Sequence, residues 1–275
     1  MRNKYQNRIL LILIFLQAFL FSQRMDWALV KGAADFGERA GHQSLVYDNK
    51  MWVIGGRSVS TYKNDVWYST DGVTWTEATS NASFVGREYF VALVYDNKMW
   101  IIGGQGGGRW NDVWYSTDGV TWTEATSNAS FGKRYRHVGF VYDNKMWIAA
   151  GVESSLGFND VWYSTDGVTW TEATSSASFS GRYWSAGTVF DNKMWIIGGH
   201  SGSAFKSDAW HSTDGANWTE ATSYSSFQGA RGHQIVSYDD KLWMTGGYID
   251  GSSKHSDTYY SSDGVSWTKL VNAIS

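Results

Sequence analysis

"STDGVTWTEAT" occupies Ser69–Thr79, returns unchanged at Ser116–Thr126 and Ser164–Thr174, and recurs as "STDGANWTEAT" from Ser212 and "SSDGVSWTKLV" from Ser261. A polar turn followed by a tryptophan therefore sets the period of the chain. Its tryptophans, with Trp27 as an outlying sixth, stand at Trp27, Trp75, Trp122, Trp170, Trp218 and Trp267, in steps of 47 to 49 residues. Self-similarity at that spacing marks an architecture of stacked supersecondary units.

Two further segments keep the same step. The first reads "VYDNKMWVIGG" (Val46–Gly56), "VYDNKMWIIGG" (Val94–Gly104), "VYDNKMWIAAG" (Val141–Gly151), "VFDNKMWIIGG" (Val189–Gly199) and "SYDDKLWMTGG" (Ser237–Gly247). The second is "NDVWYS" at Asn64, Asn111 and Asn159, then "SDAWHS" at Ser207 and "SDTYYS" at Ser256. Each unit thus holds four β-rich runs. In the first unit, Gln43–Tyr47 ends at Asp48-Asn49, residues that tolerate the left-handed backbone of a tight hairpin. Lys50–Ile54 is apolar at successive positions, so both of its faces need cover, and it stops at Gly55-Gly56. Val66–Ser69 turns at Asp71-Gly72 into Thr74–Ala78.

No segment has helical periodicity. An antiparallel unit with two apolar faces must stack on copies of itself, and a closed ring of such units is a β-propeller. The sequence predicts an all-β propeller of five four-stranded blades, near 37–79, 85–126, 132–174, 180–222 and 228–271, with Asp26–Val30 as an extra N-terminal edge strand. The alternative is a sixth, incomplete blade.

Over residues 27–271 the chain resembles the kelch-repeat family. The resemblance rests on the diglycine after the second strand, the aromatic pair in the third, the tryptophan in the fourth, and Arg-x-x-His at Arg39/His42 and Arg134/His137 before the first. The turn "STDGVTW" also looks like the Asp-box of sialidase-type propellers, one residue shorter, so no sialidase activity is carried over. Kelch resemblance implies a recognition propeller. Galactose oxidase chemistry is excluded, because its copper site requires a cysteine. An exported sialic acid epimerase (mutarotase) of kelch type, whose ligand is an anionic sugar, is the enzymatic alternative, and a structural repeat protein of the cell envelope is the third.

The chain has 275 residues with 43% hydrophobic content, enough for a sizeable core, and its lack of cysteine excludes disulfides, thiolate metal sites and cysteine nucleophiles. Arg2, Lys4 and Arg8 precede an apolar run from Ile9 to Phe21 and then Ser22-Gln23. Residues 1–23 read as an export signal or an uncleaved anchor, and the repeat style as bacterial, which predicts a secreted, periplasmic or cell-envelope protein. Removing them leaves 20 Lys and Arg against 26 Asp and Glu, a net charge of -6 that gives no attraction to nucleic acid. The expected form is a monomer with no membrane contact beyond that segment and no cofactor.

Differences between the copies are concentrated. The Asp-Asn and Thr-Asp-Gly hairpins hardly vary. The loops between second and third strands vary completely ("RSVSTYKN" at Arg57–Asn64, "QGGGRWN" at Gln105–Asn111, "VESSLGFN" at Val152–Asn159, "HSGSAFKS" at His200–Ser207), as do the approaches to the first strand. An up-and-down blade sends both variable sets to one face. The expected ligand there is a glycan or a peptide, stacked on Trp110, Trp184, Tyr89 and Tyr135 beside Arg136. Arg39, Arg87, Arg134 and Arg182 hold equivalent positions, with Arg231 one residue out of phase. They predict either an electropositive ring at the channel mouth or a brace for each loop. Asp65, Asp112, Asp160, Asp208 and Asp257 read as caps of the third strand, and no catalytic or metal constellation emerges from the histidines.

Overall fold

The computed structural model describes residues 29–270 apart from residues 203, 226, 228, 250–253, 255 and 256. It is an all-β, five-bladed propeller, with no helix among the described residues. Blade 1 comprises β1 (Gln43–Tyr47), β2 (Lys50–Ser58), β3 (Thr61–Ser69) and β4 (Thr76–Thr79). Blade 2 comprises β5 (Val91–Tyr95), β6 (Lys98–Gln105), β7 (Arg109–Ser116) and β8 (Thr123–Thr126). Blade 3 follows with β9 (Val138–Tyr142), β10 (Lys145–Ala149), β11 (Val161–Ser164) and β12 (Thr171–Thr174). Blade 4 has β13 (Ala186–Phe190), β14 (Lys193–Ser201), β15 (Ala204–Ser212) and β16 (Thr219–Thr222). Blade 5 has β17 (Gln234–Tyr238), β18 (Lys241–Thr245), β19 (Thr258–Ser261) and β20 (Thr268–Lys269). Strands pair antiparallel in chain order within each sheet.

The expected signal or anchor lies outside the described residues, as do Asp26–Ala28 of the expected edge strand. Its last two residues, Leu29 and Val30, are exposed and belong to no strand.

Local chemistry explains each turn. Asp48 and Asn49 both take left-handed φ (49° and 54°) between the paired Tyr47 and Lys50, the geometry of a two-residue hairpin that follows the strand twist. At the opposite hairpin, Ser69 Oγ accepts the Gly72 N–H at 2.9 Å, and Asp71 Oδ1 accepts the Val73 and Thr74 N–H groups at 2.8 Å. Those bonds hold the Asp71 carboxyl down to about 2. The side chains of the repeated turn thus replace a missing backbone ladder.

The glycine of that turn serves the next interface. Gly119 has φ 76°, and a Cβ there would overlap the indole of Trp52 in the preceding blade. Gly167, Gly215 and Gly264 sit likewise on Trp100, Trp147 and Trp195. Around each contact the cores form between blades: Trp52, Ile54 and Val66 of blade 1 pack with Phe84, Phe90, Met99, Ile101 and Trp122 of blade 2. Turn and tryptophan are repeated because each blade is completed by its neighbour.

In blades 1, 2 and 4 the variable segment between second and third strands extends the hairpin itself, past a register shift at the diglycine. Single bridges join each approach segment to that hairpin of its own blade: Ala40 to Arg57, Glu88 to Gln105, Tyr135 to Val152, Tyr183 to His200 and Arg231 to Tyr248. Both variable sets therefore share one face. On the other, Tyr47 Oη donates to the carbonyls of Asn97 (2.8 Å) and Thr117 (3.3 Å), which brings the two uniform hairpins of blade 2 together.

Candidate ligand-binding site on the propeller axis

Two residues before each innermost strand, the chain crosses close to the axis. The five equivalent positions are Gly41, Tyr89, Arg136, Trp184 and Gly232, with left-handed φ of 65°, 54°, 57°, 58° and 68°. Their backbones form a collar: Tyr89 N–H donates to Gly41 (2.8 Å), Arg136 to Tyr89 (2.9 Å), Trp184 to Arg136 (3.1 Å) and Gly232 to Trp184 (2.9 Å). The collar and the five inner strands surround a cavity of about 520 Å³. A left-handed residue with a side chain costs about 1–2 kcal/mol, and three of these five carry large ones.

Those side chains form one cluster. The Arg136 guanidinium lies 3.6 Å from the Trp184 ring centroid and 4.7 Å from those of Tyr89 and Tyr135. Arg231 reaches the same indole at 4.4 Å and Phe205 at 5.2 Å. Neither arginine forms an ion pair within contact distance among the described residues, although the charge of Glu88 acts on Arg136 through space, and the Nε–H of each is buried without an acceptor. Burial is the foremost cause that lowers Arg136 from its ordinary value, and it likewise raises the Tyr89 phenol. Two guanidinium groups thus share one indole, with no carboxylate in contact with either among the described residues.

The four in-phase arginines are placed elsewhere. Arg39, Arg87, Arg134 and Arg182 turn into their blades and bind Asp65, Asp112, Asp160 and Asp208 through two N–H groups each, at 2.6–2.9 Å. Each also donates to a bulge carbonyl, of Gly55, Gly103, Ala150 or Gly198, at 2.9–3.1 Å. They brace the loops and do not converge on the channel mouth. The four aspartates are accordingly anchors for arginine, and for the indole N–H of Trp67, Trp114, Trp162 and Trp210, rather than strand caps. In blade 5, Ala230 replaces the arginine and Asp257 pairs with Lys269 at 2.6 Å, which leaves Arg231 to aim at the axis.

Trp110 also stands apart. It lies in β7 with the Arg87 guanidinium 5.7 Å from its ring and does not line the cavity. Of the sequence-predicted residues, the structure gathers Tyr89, Tyr135, Arg136, Trp184 and Arg231. Tyr183 and His200 join them unforeseen, bonded to each other at 3.0 Å beside Trp184. Tyr183 was legible only as the register mate of Tyr135 and Arg231. Among the described residues no three His, Cys, Asp or Glu side chains group to hold a metal.

The family model described as the KLHDC2/KLHL20/DRC7 Kelch-repeats domain matches residues 17–199. No curated protein matches the chain.

Proposed function

The chain belongs to the Kelch-repeat family, whose propellers are generally protein-interaction modules, and from that premise we propose that it is an exported recognition module for an anionic peptide or glycan held on the axis. The observation that carries this reading is the contrast between two groups of arginines. Four are neutralised by aspartates inside their blades, whereas Arg136 and Arg231 are stacked on Trp184 without an ion-paired carboxylate among the described residues. An acidic side chain or a uronic or sialic acid supplies the missing charge, and Trp184, Tyr89 and Tyr135 supply stacking for a sugar ring or an extended chain.

Arrays of peptides and glycans, with and without carboxylates, probed with residues 24–275 test this directly. Carboxylate-bearing ligands are expected to dominate, and their binding to vanish in Arg136→Ala/Arg231→Ala. Neutral ligands alone, or no ligand at all, overturn the reading.

Export rests on Arg2, Lys4 and Arg8 ahead of the apolar run Ile9–Phe21. Mass spectrometry of the full chain expressed in a bacterium is expected to find a product outside the cytoplasm that begins near Gln23 or Arg24. A full-length cytoplasmic product contradicts export.

A further inference from the structure

Four junctions between consecutive blades share one lock of three parts. The turn glycine of the following blade covers the second-strand indole of the preceding one: Gly119 on Trp52, Gly167 on Trp100, Gly215 on Trp147, Gly264 on Trp195. A collar bond crosses each junction, from Tyr89, Arg136, Trp184 or Gly232. A second backbone bond runs from the diglycine region: Gly56 to Arg87 (2.8 Å), Gly104 to Arg134 (2.9 Å), Gly151 to Arg182 (2.8 Å) and Gly199 to Ala230 (2.8 Å).

Between blade 5 and blade 1 all three parts are missing. Among the described residues the Gly41 N–H and the Gly232 carbonyl are the loose ends of the collar, and Gly247 makes no bond to Arg39. A Cβ on Gly72 would meet only Met51 of its own blade. Both faces are uncovered to match. Met51 is 37% exposed, against 0% for its counterparts Met99, Met146, Met194 and Leu242. Tyr238 is exposed and Trp243 half-buried, while Trp52, Trp100, Trp147 and Trp195 are buried.

The parts themselves are nevertheless present on either side of this seam. Gly72 lies in the same Ser-Thr-Asp-Gly turn, Trp243 follows a hairpin of the same left-handed geometry at Asp239-Asp240, and β1 and β17 line one cavity. Blade 5 differs in its trailing face, where Thr245 and Thr258 replace the Ile54 and Val66 of blade 1 and stand 3.3 Å apart, hydroxyl to hydroxyl. Closing the ring here therefore buries less apolar surface than at any other junction, while the backbone bonds to be gained are the same.

We propose that the ring opens and shuts at this seam alone. In the shut state the Gly72 turn latches over Trp243 and Gly41 N–H completes the collar on the Gly232 carbonyl; the open state is the one described above. Because Gly41 and Gly232 adjoin Tyr89 and Trp184 in the collar, the latch sets the width of the axial mouth.

The chain has no cysteine, so spin labels go only where they are placed. Thr70→Cys/Asp240→Cys spans the seam, and Asn49→Cys/Thr117→Cys spans the locked junction of blades 1 and 2 at the equivalent exposed positions. Pulsed dipolar spectroscopy is expected to give one distance for the locked pair and two for the seam pair, the shorter matching the locked one. Gly72→Asn keeps a residue that tolerates left-handed φ but places atoms where the Trp243 ring must come. It is expected to remove the short distance at the seam and leave the locked pair, a readout of intact folding, unchanged. A single seam distance, short or long, or a seam distribution indifferent to Gly72→Asn, overturns the proposal.

Discussion

His137 shows what burial does to a residue that three blades share. His42 and His233 hold its position in blades 1 and 5, where blade 2 carries Phe90 and blade 4 Ser185, and it is buried at the cavity wall. Burial first, and then the charge of Arg134, push its imidazole down to about 3. The folded state therefore holds the neutral ring. Its contribution is fully present above the unfolded value of about 6.5 and is lost as pH falls towards the folded value, by about 2 kcal/mol at pH 5. His137→Phe, borrowing the side chain of blade 2, is expected to shrink the stability difference between pH 7 and pH 5 by about that amount in urea unfolding. An unchanged difference contradicts the burial account. At this scale the sequence was only partly readable. The collar position reads Gly, Tyr, Arg, Trp, Gly across the blades, letters with no common chemistry, and what unites them is a backbone angle.

Among elements, the decisive interaction is the arginine of the approach segment bound to the aspartate that starts the third-strand core. Burial alone raises the Asp208 carboxyl, but the hydrogen bonds and charge of Arg182 hold it below the ordinary range. Removing one partner strands a buried charge. Asp208→Ala is expected to cost about 3–5 kcal/mol in chemical denaturation, whereas Lys193→Ala, which breaks an exposed pair with Asp191, costs less than about 1 kcal/mol. Equal, small losses in both would show that the brace is not what holds the loops. Hairpins, strand order and the two unlike faces were legible in the repeats because turn chemistry acts over a few residues. The Arg–Asp braces were not, because 25 or 26 residues separate the partners and each recurs once per blade. That separation is bridged by folding, and no local pattern announces it.

At the scale of the molecule, five near-identical units make a ring whose matching hairpins fall on one side and whose unlike segments fall on the other. The period alone indicated the blades. It was silent about the seam, since the Thr245 and Thr258 that set blade 5 apart become a facing pair only in the folded sheet, and silent about which arginines keep their charge for the axis. Ring assembly sorts them: the brace consumes four, and the phase slip at Ala230-Arg231 releases another. The central claim is that the released charges, with Trp184, bind the ligand. Isothermal titration of the strongest carboxylate ligand from the arrays is the direct measure, made on the native chain, on Arg136→Ala/Arg231→Ala and on Trp110→Ala. Two lost charge-assisted contacts predict binding at least about a hundredfold weaker in the double variant, with Trp110→Ala unchanged; undiminished affinity in the double variant contradicts the account.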